Sequence, residues 1–467
     1  MAHQTPTANQ WPSTTHSDAD DEIQPLLCSN SQPQPISKLP TRNVISKKTH
    51  QDKFIVDHGF SAWLQVLCGW ILFMNSWGLP NSFGAFQTFY VKELIPEQSA
   101  ASVAWIGSIQ LFLTTLGCLF GGIFLDRGYL QSLIAVGTGL EVVGLLATSF
   151  STKYWQLLLA QGVCVGLGSG LLALFPITVI SMYFEKKRMV AVGIASTGAS
   201  FTGILYPIVL RYLFTKVGFP WAVRFLVLFI LATNAIPMIA MRLQSEGKEG
   251  GSKLSLHHFK DPTYSVFVAT FTLLTASVTV PFFFIPEYAL KLGIEETMAF
   301  NLLAVMNAAN LFGRLVPSFV ADRYGGMSTL LPLTFICTIS LIVLPLITAT
   351  PLLPIIPTLV VFSLFYGFAA GSVMILPAPI IVNLSPISTD LGVRMGLAHL
   401  CAAFGGLIGN PISGAVKKEG YGNGDVGAVQ EFKWLWWTAA LIMGSGMLLL
   451  GLARRLRTGS WAGQSVA

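Results

Sequence analysis

About a dozen apolar stretches, each long enough to cross a bilayer as a helix, fill this chain between Trp63 and Leu452. Roughly 20 apolar residues span the hydrocarbon core, and no soluble fold needs so many uncharged runs of that length. The pattern therefore predicts an all-α polytopic membrane protein. Charge usage agrees, with 11% charged residues and a mean hydropathy of +0.63, against roughly 25% charged in a soluble domain. Function must lie in what a helical bundle does to solutes, signals or lipids.

Twelve spans are expected, at 63–86, 102–124, 131–150, 155–181, 189–213 and 221–241, then 264–288, 298–320, 328–348, 355–383, 393–416 and 432–453. The boundaries least marked in the sequence lie near Pro351–Pro357 and Gly218–Pro220. Residues 1–58 are rich in Ser, Thr, Gln, Pro and Asp and hold no apolar run, so they are expected to form a disordered tail. That segment also lacks the apolar core of a cleavable signal peptide. The polar segment 242–263 divides the spans six and six, giving an amino-terminal half over 59–241 and a carboxyl-terminal half over 264–453, with a short tail from 454 to 467.

An even number of crossings places both termini on one side, and Lys and Arg choose that side. With the termini inside, the inner segments hold 18 basic residues and the outer ones nine, while Arg314 lies within a span. Both termini are accordingly expected in the cytosol. The net charge of +6 needs no nucleic acid to explain it, because cytosolic loops face anionic lipid. Five of the six cysteines sit at scattered positions inside spans, and no C-x-x-C pair occurs. They support neither a zinc site nor a disulfide framework, and no cofactor is expected.

The halves share a local signature. Between spans two and three the chain reads Gly121-Gly-Ile-Phe-Leu-Asp126-Arg127-Gly128; between spans eight and nine it reads Gly313-Arg314-Leu-Val-Pro-Ser-Phe-Val-Ala-Asp322-Arg323-Tyr-Gly325. Each copy ends a helix with Asp-Arg followed closely by Gly, which suits a tight cytosolic turn. The carboxylate can pair with an Arg or with the positive amino end of a neighbouring helix, fastening the cytosolic side shut. One such string is an ordinary polar helix end with a glycine cap; two, at equivalent places in two six-span halves, mark Asp126, Arg127, Asp322 and Arg323 as a cytosolic gate. This arrangement, over residues 60–455, resembles the major facilitator superfamily. The resemblance implies two six-helix halves that rock around a midplane site.

Further strings narrow the resemblance. Asp57-His-Gly59-Phe-Ser-Ala-Trp63 precedes span one, which carries Asn75-Ser-Trp77-Gly78 and Ser82-Phe-Gly84-Ala-Phe86-Gln87. Trp105-Ile-Gly107-Ser108-Ile-Gln110 opens span two, and Tyr183-Phe184-Glu-Lys-Lys187-Arg188 precedes span five, which continues through Ala191, Gly193, Ala195, Gly198 and Gly203. Together, in order and spacing, they resemble the fungal members of the monocarboxylate porter family. The glycine series in spans four, five and eleven give helices smooth sides for close packing. Such seams serve equally as static contacts or as surfaces that slide.

Ionisable and amide groups at membrane depth are the site candidates, because burying them is costly. Arg314 offers a fixed cation to an anionic substrate, or else closes a structural pair with Asp322 or a helix carboxyl end. In animal members of the family, an Asp four residues before an Arg on the corresponding helix couples proton to carboxylate. Here that position is Asn310, which takes up no proton, so lactate-style coupling through this helix is in doubt. Asn307 and Asn310 are placed to hydrogen-bond a substrate or to join helices. Glu141 is the carboxylate deep in the amino half, a proton-carrier candidate or a protonated interface group. His399 is a lone intramembrane histidine, suited to substrate contact or to an interhelical bond. Asn81, Gln87 and Gln110 are placed to line an outward vestibule. Glu22-Ile-Gln-Pro-Leu26-Leu27 resembles a sorting signal of vacuolar membrane proteins, set against a plasma-membrane address.

The leading expectation is a secondary transporter of small organic anions or related fungal metabolites, proton-coupled or facilitative, in which each monomer holds a complete pathway. The branch also includes exporters of specialised metabolites. A solute-sensing receptor competes but lacks a long cytosolic domain. A membrane enzyme would need several His, Asp or Glu residues at one depth, and a primary pump a Walker loop.

Overall fold

The chain is described here from a computed structural model, which covers residues 59–243, 256–349, 354–385, 391–416 and 425–458. The expected amino-terminal tail, the Leu26-Leu27 string and most of the central and carboxyl-terminal polar segments lie outside these residues. In lipid every backbone N–H and C=O must find a partner within the spanning segment, so apolar runs become helices. Among the described residues eleven helices are long and apolar enough to cross a membrane, and a shorter apolar helix precedes them.

We number them by crossing. The first is α1 (Phe60–Ser76), followed by α2 (Ala100–Asp126), α3 (Leu130–Phe150), α4 (Tyr154–Tyr183), α5 (Arg188–Val217) and α6 (Phe219–Ala240). The second set is α7 (Pro262–Lys291), α8 (Glu296–Tyr324), α9 (Gly326–Thr348), α10 (Ile355–Leu384), α11 (Leu391–Ala415) and α12 (Asp425–Thr458).

Two boundaries depart from the apolar runs. The first crossing is broken after Ser76 and continues as short helical pieces, Gly78–Asn81, Phe83–Phe89 and Tyr90–Leu94. Pro80 lacks a backbone donor, and Gly78 lets Thr202 of α5 sit so close that a Cβ there would lie 2.0 Å from its Oγ1. At the other end, α12 runs to Thr458, so Arg454, Arg455 and Arg457 are helical rather than part of a tail.

Packing repeats between the two sets. Within the first, α1 packs on α5 and α6, α2 on α4, and α3 on α4 and α6; within the second, α7 packs on α11 and α12, α8 on α10, and α9 on α10 and α12. Advancing each number by six converts one list into the other. The two large seams between the sets, α2 against α11 and α5 against α8, also exchange under that operation. Outward faces carry large apolar side chains such as Leu228, Ile239 and Leu441, which suits helices whose solvent is lipid.

Candidate functional site

The duplicated turns close on the two seams. Gly128 and Gly325 both adopt φ near +86° and +88°, a left-handed conformation that glycine reaches without a Cβ penalty. Each turn leaves its aspartate at the last turn of a helix, beside the start of a helix from the other set. Asp126 accepts from Gly392 N–H at 2.9 Å and Val393 N–H at 3.0 Å. Asp322 accepts from Met189 N–H at 2.8 Å and Val190 N–H at 2.9 Å. Both pairs of donors are the second and third residues of their helix, α11 and α5, whose first-turn N–H groups have no partner within the helix. Each carboxylate thus caps, across the seam, a helix end that attracts negative charge.

The backbones meet at the first of these caps. A Cβ on Gly122 would lie 2.1 Å from Gly392 O, and one on Gly392 would lie 2.3 Å from Gly122 O. Arg188 adds a further link at the same end, hydrogen-bonding Asn383 of α10. Arg127 and Arg323 are exposed and lie instead over their own neighbours, the Phe124 and Tyr324 rings, at 5.9 and 5.6 Å. Of the two partners open to the aspartates from sequence, these bonds use helix amino ends.

Deeper in the α5–α8 seam lies Arg314. Its Nε donates to Asn310 Oδ1 at 2.9 Å and its Nη1 to Ser196 O at 3.2 Å, while Nη2 is 3.7 Å from Met374 Sδ. Asn310 Oδ1 also accepts from Ser200 Oγ at 3.2 Å. Arg314 and Asn310 are therefore brought together, and both reach α5. Asn307, on the same helix, donates to Leu303 O at 3.1 Å. Asn81 is exposed at the broken end of the first crossing, 3.4 Å from Ala199 O. His399 sits on α11, its Nδ1 2.8 Å from Met395 O. A carbonyl only accepts, so Nδ1 carries the proton. The ring also packs nearly perpendicular to that of Phe271, with centroids 5.3 Å apart.

Glu141 stands apart from that seam, fully buried inside the first set of helices. Its Oε1 accepts from Ser169 Oγ at 2.7 Å. Nearby, Asn234 Oδ1 accepts from Asn75 Nδ2 at 2.7 Å, Asn234 Nδ2 donates to Thr138 at 3.1 Å, and Tyr206 donates to Asn75 Oδ1 at 3.1 Å. This polar cluster ties α1, α3, α5 and α6 together. Asn75 and Asn234 were not singled out from sequence as site residues, although a mid-span asparagine is itself a signal, since its amide must find partners. Gln110 is fully buried and neither amide atom has a hydrogen-bond partner among the described residues.

Two sets of six helices joined by crossed carboxylate caps specify a fold, and comparison supplies the family. The family description Major Facilitator Superfamily matches residues 60–356. The chain belongs to the major facilitator superfamily. Among curated relatives, the MFS-type transporter dbaD of Emericella nidulans is 34% identical over 77% of this chain and 80% of its own. The aspyridones efflux protein apdF of the same organism is 32% identical over 85% and 78%. The agnestins efflux protein AgnL12 of Paecilomyces divaricatus is 32% identical over 73% and 77%. Among solved structures, a bacterial homologue of the iron transporter ferroportin in an outward-facing state superposes with a TM-score of 0.61 at 14% identity, over 84% of this chain and 99% of that one. At that identity the likeness concerns the fold.

Proposed function

We propose that this major facilitator protein is a secondary transporter that exports a small organic anion, or a related fungal metabolite, by alternating access. The observation that carries this reading is the pair of crossed caps, Asp126 on the start of α11 and Asp322 on the start of α5. Interactions of this kind contribute about 1 kcal/mol each, strong enough to bias a two-state bundle and weak enough to break in each cycle. Relatives named as efflux proteins support the outward direction.

The latched end is read as the cytosolic one, because basic residues concentrate there, and both termini then lie in the cytosol. The arrangement is accordingly closed to the cytosol. Arg314 is the substrate's cation in this reading. When the α5–α8 seam opens, it exchanges Ser196 O for a carboxylate, with Asn310, Asn307, His399 and Asn81 as polar contacts along the path. Glu141 is the proton-coupling candidate, held in place by the hydroxyl that Ser169 donates to its Oε1. A plasma-membrane address and a monomeric unit complete the reading, and the monocarboxylate porter branch is its substrate class.

Uptake into proteoliposomes across a panel of labelled monocarboxylates and larger organic anions, with and without a pH gradient, tests it. Saturable uptake above protein-free vesicles for at least one anion is expected. Uptake equal to that of empty vesicles for every anion, in both directions, would reject the substrate class.

A further inference from the structure

Two N–H groups of the α5–α8 cluster meet sulfur instead of oxygen. Arg314 Nη2 and Asn310 Nδ2, one turn apart on α8, each lie 3.7 Å from Met374 Sδ. The other donors of the guanidinium are better served: Nε and Nη1 reach oxygens at 2.9 and 3.2 Å. A thioether is a weak acceptor, whereas a guanidinium bonds a carboxylate at about 2.7–2.9 Å through two parallel N–H groups. The sulfur therefore fills a position suited to an anionic oxygen without satisfying the donors that face it.

Backbone packing fixes where that sulfur is carried. A Cβ on Gly371 would lie 2.2 Å from Asn310 O, and one on Gly313 would lie 1.9 Å from Phe368 O, so α10 and α8 touch through main chain. Ser372 Oγ donates to Gly313 O at 2.5 Å. Met374 itself is only partly buried, and its unbranched side chain turns about three bonds without moving the helix. The helix is held; the side chain can leave.

We infer that Met374 holds the substrate's place in the empty carrier and sets which head group the site accepts. A carboxylate arriving at Arg314 puts one oxygen on Nη1, where Ser196 O now sits. It puts the other on Nη2, where Asn310 Nδ2 donates as well, and the sulfur swings aside. Both positions face donors, so an acidic head group is taken and an amide, whose NH2 would meet another donor, is refused. The substrate role rests on the transport reading above; the carboxylate subsite does not.

Thermal unfolding of the detergent-purified full chain tests the subsite without transport. Met374→Ala should open it to acetate, raising Tm by roughly 3 °C near saturation. Acetamide should give no shift, and neither should acetate with M374A/R314Q. No shift with acetate, an equal one with acetamide, or one that survives R314Q would overturn the proposal. Met374→Glu covers the case of a Met374→Ala chain that fails to fold, because its own carboxylate reaches the guanidinium. It should cost far less Tm in the parent than in R314Q, and equal costs would overturn the proposal. In proteoliposomes, for an anion the parent carries, Met374→Leu removes the competing acceptor and should lower KM roughly fivefold. Met374→Gln, with a stronger acceptor oxygen, should raise KM by a similar factor. One KM for all three chains would overturn the placeholder and leave the transport reading intact. A parent that carries no anion would reject the transport reading, and the acetate shift would still decide the subsite.

Discussion

Arg314 donates its Nε–H to Asn310 Oδ1 at 2.9 Å, one turn back along its own helix. The acceptor is an amide, so this buried cation is held by neutral groups: Asn310, the Ser196 carbonyl and the Met374 sulfur. Because Ser196 belongs to the other half of the bundle, the guanidinium fastens the α5–α8 seam as well as its own helix.

Asn310→Leu removes that acceptor and leaves a buried N–H of a charged group unsatisfied, a cost of about 1–3 kcal/mol. Thermal unfolding in detergent should show a lower Tm for Asn310→Leu and a near-normal Tm for Asn310→Asp, which keeps an oxygen in place. An unaltered Tm in Asn310→Leu would mean the tie contributes nothing to stability.

The crossed caps should behave as a latch. Asp126→Ala and Asp322→Ala should each weaken closure by about 1 kcal/mol, a shift of roughly fivefold in the ratio of states, and the double variant by roughly 30-fold if the sites add. Cysteine accessibility at the Met189 and Leu391 positions, or spin-label distances across that end, reads the opening directly. Equal accessibility in the parent and the double variant would remove the caps from gating.

Glycine contacts give a sharper geometric test. Gly392→Ala would push a Cβ to 2.3 Å from Gly122 O and 2.6 Å from the Asp126 carboxylate. The backbones must part, at a cost of about 1–3 kcal/mol, so transport and latch closure should both fall. Gly139→Ala, with no atom within 4 Å of its Cβ, should stabilise α3 by up to about 1 kcal/mol. Equal Tm and transport in the two variants would contradict the close α2–α11 approach.

Glu141→Gln keeps an oxygen to accept from Ser169 while removing the titratable proton. If Glu141 carries the coupled proton, the variant should lose stimulation by a pH gradient but retain exchange of substrate for substrate, with Tm little changed. Stimulation that survives in the variant would assign coupling elsewhere; a large fall in Tm would mark the group as structural.

Hydropathy alone placed the spans within a few residues for most of the chain, because crossing lipid is a property of consecutive residues summed over about 20 positions. The paired Asp-Arg turns were equally legible, since each is a local string, and the left-handed Gly128 and Gly325 are what such turns require. Local rules failed where the chain answers to a distant neighbour. The close approach of Thr202 to Gly78, beside the break after Ser76, depends on how α5 meets the first crossing, and the helix amino ends that Asp126 and Asp322 cap depend on how α2 meets α11 and α8 meets α5. Arg314 and Glu141 stood out as ionisable groups at depth, yet Ser196, Met374 and Ser169, which receive or meet them, lie on other helices. Which face of a helix turns toward which partner is fixed by rotation and packing of the whole bundle, and no window of sequence contains that information.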